Sequence, residues 1–109
     1  MHQLHLQETY LDAIATGTKT VEGRLLKPGK YDAWQIGDQV EMIGGGRVIQ
    51  VTVTGLRRYP SVVAMLETEG LKVMLPGVAT LEDGAAIYHA FWTVEEVTRY
   101  GMLAIGVQV

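Results

Sequence analysis

The feature that most constrains the fold of this chain is the segment from Arg47 to Tyr59. Within it, Ile49, Val51 and Val53 alternate with polar neighbours. A period of two and β-branched side chains predict a strand with one buried face. Gly55 interrupts the pattern and predicts a bulge or bend. A chain that contains this long strand must provide partners for both of its edges.

Further strands are predicted on both sides of this segment. Residues 39–43 form a second strand, and the glycines at 44–46 join it to the long strand as a hairpin. Alternating apolar residues also predict strands around 4–6, at 19–25 and at 103–107. Helices are predicted over 8–16, from Ser61 to about Glu69, from Thr80 and from Thr93. This order favours an α+β, mainly β fold: a small mixed or antiparallel barrel of about five to six strands flanked by short helices.

Composition sets further limits on the class of protein. The 109 residues suffice for one domain, 1–109, with one hydrophobic core. The absence of cysteine excludes disulfides and thiolate zinc sites. The amino-terminal residues lack the pattern of a signal peptide, and no apolar run reaches membrane-spanning length. A cytoplasmic protein without a membrane partner is therefore expected.

Charge is distributed unevenly along the chain. The net charge is −3, yet seven of the nine Lys and Arg residues lie between Lys19 and Arg58. With four acids in that span, its charge is 7 − 4 = +3, and the remaining residues carry −6. This span either presents a local positive surface or places its bases in strands and turns without a ligand.

The octapeptide Gly17-Thr18-Lys19-Thr20-Val21-Glu22-Gly23-Arg24 is the best candidate for a site. In a regular strand Glu22 and Arg24 point to one face and Lys19 to the other. A twist after the preceding helix would bring Lys19 round into a cationic pocket with an internal carboxylate. Without that twist, the three residues form only an ion pair on an exposed strand.

Other side chains give weaker signals. His2, His5 and His89 lack the spacing of a metal site, so no metal ligands are assigned. Phe91 and Trp34 are predicted to lie in the core. Among the aromatic residues, Tyr59 beside two arginines is the better candidate for a ring that faces a ligand.

Taken together, these segments resemble the ASCH domain family, a branch of the PUA-like barrel superfamily. The resemblance spans nearly the whole chain and is carried by residues 10–14, the octapeptide 17–24, residues 37–38, 59–61, 65–70, 75–77, 88–92 and 100–105. It implies a barrel with a cleft that faces the Gly-x-Lys-x-x-Glu-x-Arg motif. It also implies activity linked to RNA or nucleotides.

The resemblance suggests roles for individual residues. Lys19 and Glu22 take the catalytic positions, and Arg24 is a substrate-binding residue of the motif. Tyr59, Ser61, Glu69 and Tyr88 are further candidates for substrate binding. Related acetylcytidine hydrolases carry a threonine three residues after the lysine, where this chain has Glu22. Glu22 does not reproduce hydroxyl chemistry, so the amidase role is disfavoured.

Three functions remain open at this point. The leading hypothesis is a domain that binds RNA, a nucleotide or a nucleoside. The second is a hydrolase that acts on RNA, with or without a divalent metal, or on a modified nucleoside. The third is a protein-interaction module. The sequence requires no cofactor.

Overall fold

The computed structural model describes all residues from 1 to 109. Ten elements follow one another along the chain. They are β1 (His2–His5), α1 (Glu8–Ala15), β2 (Val21–Leu25), β3 (Gln39–Gly44), β4 (Arg47–Tyr59), α2 (Val62–Glu69), α3 (Leu71–Met74), α4 (Leu81–His89), α5 (Val94–Tyr100) and β5 (Met102–Gln108). No helix is both long and apolar enough to cross a bilayer.

The five strands form one mixed sheet in the order β1-β3-β4-β5-β2. β1 runs parallel to β3, and every other neighbouring pair is antiparallel. The sheet curls into a half-barrel, which confirms the predicted α+β, PUA-like architecture. Because β1 and β2 are the two edge strands, the half-barrel has an open seam between them.

The long strand β4 organises this sheet as its sequence predicts. Its first half pairs with β3 through the glycine-rich hairpin, and its second half pairs with β5. The register shifts between Val53 and Gly55, where the bulge was expected. A bulge increases the local twist of a strand, and that twist helps to curl the sheet.

Strand β5 separates two hydrophobic cores. Leu103, Ile105 and Val107 pack with α1 and the inner residues of β3 and β4. Met102 and Ala104 pack on the opposite face with helices α2 to α5 and with β2. A strand buried on both faces reads as a continuous apolar run, and this explains the sequence Met-Leu-Ala-Ile-Gly-Val.

The helix caps agree with the sequence in all but one detail. Ser61 accepts a hydrogen bond from Ala64 N at the start of α2. Thr93 and Glu96 form a complete capping box on α5. Thr80 caps α4 through Asp83 N alone, because the shorter aspartate does not return the bond.

One prediction about burial needs correction, and one short helix was not predicted. Phe91 does not lie in the core: it is 60% exposed, because α4 ends at His89 and the helical periodicity stops before it. The short helix α3 was not predicted. Trp34 is half-buried and packs against the first core, stacked on His2 at 4.2 Å.

Candidate functional site

A cavity of about 170 Å³ opens along the seam of the half-barrel. One wall comes from the end of β1 and from α1, and the opposite wall comes from β2. The floor and rim come from α3, α4 and the turn that follows α4. We call this space the seam cavity. Its lining residues are His5, Leu6, Gln7, Tyr10, Lys19, Glu22, Gly23, Arg24, Leu75, Ile87, Tyr88, Phe91 and Trp92.

Lys19 reaches the seam cavity because strand β2 begins only at Val21. Gly17 ends the preceding helix with a positive φ of 81°. The backbone N–H of Lys19 then donates to Ala13 O at 3.0 Å, and the N–H of Thr20 donates to Val73 O at 3.0 Å. These bonds fix a non-extended link, so the strand alternation that would turn Lys19 away does not apply to it.

The ammonium group of Lys19 is surrounded by acceptors. It donates to the carbonyl of Val21 at 2.6 Å and to the carbonyl of Met74. Its third neighbour is Glu22 Oε1 at 3.2 Å. Main-chain carbonyls thus use two of the three N–H donors of the ammonium group, and the ion-paired carboxylate of Glu22 is its third polar neighbour.

Lys19 is only 1% exposed. Burial lowers the pKa of its ammonium group from the ordinary value, and Glu22 offsets part of that effect. The ring of Tyr10 lies beneath the charge, with 5.5 Å between Nζ and the ring centroid.

Glu22 connects Lys19 to Arg24. Its Oε2 accepts two hydrogen bonds from Arg24, from Nε at 3.0 Å and from Nη2 at 2.8 Å. An ionised carboxylate accepts about four hydrogen bonds, and the two that Glu22 receives from Arg24 both fall on Oε2, while Oε1 forms an ion pair with Lys19 at 3.2 Å. One acceptor position on Oε1 is therefore open to a further donor.

Arg24 spans the seam between the two sheet edges. Its Nη2 also donates to the backbone carbonyl of His5 at 2.8 Å, at the end of β1. The three motif residues thus form a continuous chain of charges, buried at Lys19 and Glu22 and half-buried at Arg24, that joins the wall on β2 to the wall on β1.

Tyr88 packs tightly on the motif. A Cβ added at Gly23 would lie 2.9 Å from both Tyr88 Oη and Met65 Cε, so only glycine fits there. The Tyr88 ring lines the seam cavity, whereas its hydroxyl is buried without a hydrogen-bond partner. Burial raises the pKa of this phenol far above its usual value.

Aromatic side chains from α4 and the turn after it complete the cavity beside the charges. The ring of Trp92 lies 6.3 Å from that of Tyr88, with the planes inclined by only 14°. Tyr88 was a predicted site residue, whereas Tyr10 and Trp92 were not. Trp92 lies beyond the end of α4 and is held near Tyr88 because its N–H donates to Tyr88 O at 3.1 Å, so helical spacing gave no signal for it.

The remaining candidate residues lie outside the seam cavity. Ser61 serves as the cap of α2. Glu69 accepts two hydrogen bonds from Arg57, both at 2.6 Å, and one from the Tyr59 hydroxyl. None of these residues lines the cavity. The roles of Tyr59, Ser61 and Glu69 in substrate binding stay predictions that no contact with the cavity supports.

The segment from Lys19 to Arg58, which we call the basic span, presents a smaller positive surface than its net charge of +3 indicates. Four of its seven bases are in ion pairs, Lys19 and Arg24 with Glu22, Arg47 with Asp12, and Arg57 with Glu69. The three without a salt bridge are Lys27, Lys30 and Arg58. Lys27 shares a surface depression with two acidic residues, Glu95 and Glu96, and with a second cation, Arg99.

A donor set for a metal ion does not assemble around the motif. Nowhere in the chain do three or more His, Asp or Glu side chains come together in a group that could hold a metal ion. His2 is occupied by Asp38 at 2.8 Å, and His89 Nδ1 lies 2.9 Å from the carbonyl of Trp92. The metal requirement considered for RNA cleavage stays untested.

A curled mixed sheet flanked by short helices, with a charged cavity at its seam, defines a PUA-like domain. The sequence matches the profile of the ASCH domain over residues 4–108. The chain therefore belongs to the ASCH domain family.

Solved structures agree with this assignment. The crystal structure of hypothetical protein PH0355 has 37% identity and a TM-score of 0.86, with 97% of this chain and 95% of that chain covered. The solution structure of protein PF0455 from Pyrococcus furiosus has 34% identity and a TM-score of 0.76, with 98% and 94% covered.

A more distant structure shows the shared fold alone. A serine-to-alanine variant of ZmASCH from Zymomonas mobilis has 14% identity and a TM-score of 0.65, with 98% of this chain and 66% of that chain covered. A search of curated proteins found no match.

Replacing Lys19 by methionine is expected to lower the free energy of unfolding by about 3–5 kcal/mol, because a buried carboxylate and two carbonyls lose their donor. The double variant Lys19→Met/Glu22→Gln is expected to cost less than the sum of the two single changes, since it leaves no unpaired carboxylate. Urea unfolding of the four proteins measures this coupling. Lys72→Met on the surface is the control, and strictly additive effects would contradict the buried network.

Replacing Tyr88 by phenylalanine is expected to change stability at neutral pH by less than about 1 kcal/mol, because the lost hydroxyl has no partner. The pKa of Tyr88 is raised in the folded state. The contribution of the neutral Tyr88 phenol to folding stability is thus fully present below pH 10.0, the ordinary phenol pKa, and is lost as pH rises above it.

Tyr88→Phe should therefore weaken the loss of stability in alkali. Thermal unfolding at about pH 7 and about pH 11, with Tyr100→Phe as the matched control, tests both statements. A loss of several kcal/mol at neutral pH would show that the hydroxyl is hydrogen-bonded after all.

Proposed function

We propose that this ASCH domain binds RNA by taking one nucleobase into the seam cavity. The observation that carries the proposal is the chain of buried Lys19, buried Glu22 and half-buried Arg24 in the wall of an aromatic cavity. Burying charges is costly, and apolar residues of similar volume often give equal or greater stability. Such a chain is better explained by a ligand that uses it.

Glu22 is the group that would recognise the base. Its carboxylate keeps one acceptor position on Oε1, and its side chain is 11% exposed on the cavity side. Amino and imino N–H groups on the edges of nucleobases are suitable donors to a carboxylate. Arg24 and Lys19 hold this carboxylate in one orientation, so little ordering is needed on binding.

The aromatic wall suits a flat ligand. Trp92 and Tyr88 have nearly parallel planes, and stacking on aromatic side chains is the common way that proteins hold an unpaired base. The volume of about 170 Å³ is small compared with the roughly 300–1,000 Å³ of pockets for drug-sized ligands. This volume matches the size of one nucleobase better than that of a whole nucleotide.

In this proposal Lys19 positions Glu22 and does not touch the ligand. Direct contact with phosphate, one role considered from the sequence, would require Lys19 to give up a bond to Val21 O, Met74 O or Glu22. Arg24 remains the motif cation nearest to the solvent, with its side chain 16% exposed.

The two other hypotheses differ from this one in what they need from the cavity. A hydrolase needs a nucleophile or a general base aimed at the ligand, and Glu22 is the acid present for that purpose. A protein-interaction module needs no cavity, and the space beside the motif is open. Binding of a nucleobase is the function that uses every wall of the cavity.

Wild-type protein is expected to bind single-stranded RNA and ribonucleosides, and Glu22→Gln is expected to weaken both by about 10- to 150-fold, as for the loss of a hydrogen bond to a charged group. Calorimetric titration measures the affinities. Glu67→Gln, an exposed glutamate on α2, is the control. The absence of binding by the wild type, or equal binding by Glu22→Gln, would refute the proposal.

The same proteins separate binding from hydrolysis. Labelled RNA and acetylcytidine are incubated with wild type and with Glu22→Gln, with and without divalent metal. Turnover by the wild type that Glu22→Gln abolishes would replace the binding proposal with a hydrolase.

RNA binding by this domain is expected to depend only modestly on salt. Three lysine and arginine residues of the basic span have no salt bridge, and the motif carries a net charge of +1. Together they allow about four phosphate contacts. The plot of log affinity against log salt should therefore have a slope no steeper than about −3, from −0.7 per contact for single strands. Fluorescence titration at four salt concentrations measures the slope, and a much steeper value would indicate an extended basic groove.

A further inference from the structure

Phe91 occupies an unusual position for a phenylalanine. It is 60% exposed at the rim of the seam cavity, whereas phenylalanine is usually buried. The backbone holds it firmly, because Phe91 N and Trp92 N both donate to Tyr88 O, at 3.0 and 3.1 Å. His89 Nδ1 adds a contact to Trp92 O at 2.9 Å.

Three aromatic rings form a row that leads out of the cavity. Tyr88 is buried in the wall, Trp92 is half-buried beside it, and Phe91 stands in solvent at the end. The ring centroids of Phe91 and Trp92 are 5.9 Å apart, with the planes inclined by 47°. A ligand that enters along this row meets Phe91 first.

We propose that Phe91 stacks on the base next to the one held in the seam cavity. This inference rests on the proposed function and makes the ligand a strand with at least two nucleotides. One stacked ring contributes enough to affect the affinity for a nucleotide, whereas a protein partner needs several hundred Å² of surface. A single exposed ring continuous with a base-sized cavity fits the nucleotide.

The charge distribution points to the same kind of contact. Four of the seven lysine and arginine residues of the basic span form salt bridges, so few cations are free to bind phosphates. An RNA strand that is held mainly through its nucleobases needs a second stacking surface outside the cavity. Phe91 provides that surface without adding charge.

The test compares short and longer ligands on matched variants. The probes are the four ribonucleoside monophosphates and the four corresponding homotrinucleotides. The proteins are wild type, Phe91→Ala, Phe91→Tyr and the control Val94→Ala, which removes an equally exposed apolar side chain from the start of α5. Titration measures every affinity, and thermal unfolding confirms that each variant is folded.

Phe91→Ala is expected to weaken the best trinucleotide by about 5- to 150-fold and to weaken the monophosphates far less, because Phe91 lies only at the rim of the cavity. Phe91→Tyr and Val94→Ala are expected to behave like wild type. Equal loss for both ligand lengths, no loss for either, or the same loss with Val94→Ala would overturn the inference and leave base binding intact. A wild type that binds none of the probes would overturn the proposed function and this inference together.

Discussion

The buried ammonium group of Lys19 is the interaction on which the rest of the site depends. It ties the first carbonyl of β2, the last carbonyl of α3 and the carboxylate of Glu22 to one point. Because Lys19 and Arg24 both form ion pairs with Glu22, its carboxylate has a fixed orientation, and Arg24 can reach across to His5. The seam is therefore held at a set width by charges whose burial adds little net stability.

Most of the fold follows from local sequence patterns. The alternation in β4, the glycine hairpin, the caps at Ser61 and Thr93 and the bulge near Gly55 act between near neighbours, and all are visible in the sequence. The site is less predictable. Sequence analysis selected the motif residues, but the acceptor of Lys19 on Met74 is a main-chain carbonyl, for which no residue type gives a signal.

The burial of side chains near the cavity shows the same limit. Phe91 has the composition of a core residue and lies two positions beyond the end of α4, where the backbone turns it outwards. Conversely, the charges of the basic span are obvious in the sequence, but their pairing with Asp12 and Glu69 depends on contacts across the fold. Isolated charges and apolar residues therefore gave the least reliable predictions.

The position of the motif on an edge strand has a consequence for self-association. An unpaired strand edge is a template on which another molecule can add a strand. On β2, the side chain of Arg24 crosses over to β1, and the packing of Tyr88 against Gly23 crowds the middle of the strand. The groups that line the cavity thus also cover part of this strand edge, so the charged motif that shapes the seam also makes β2 a poorer template for strand addition.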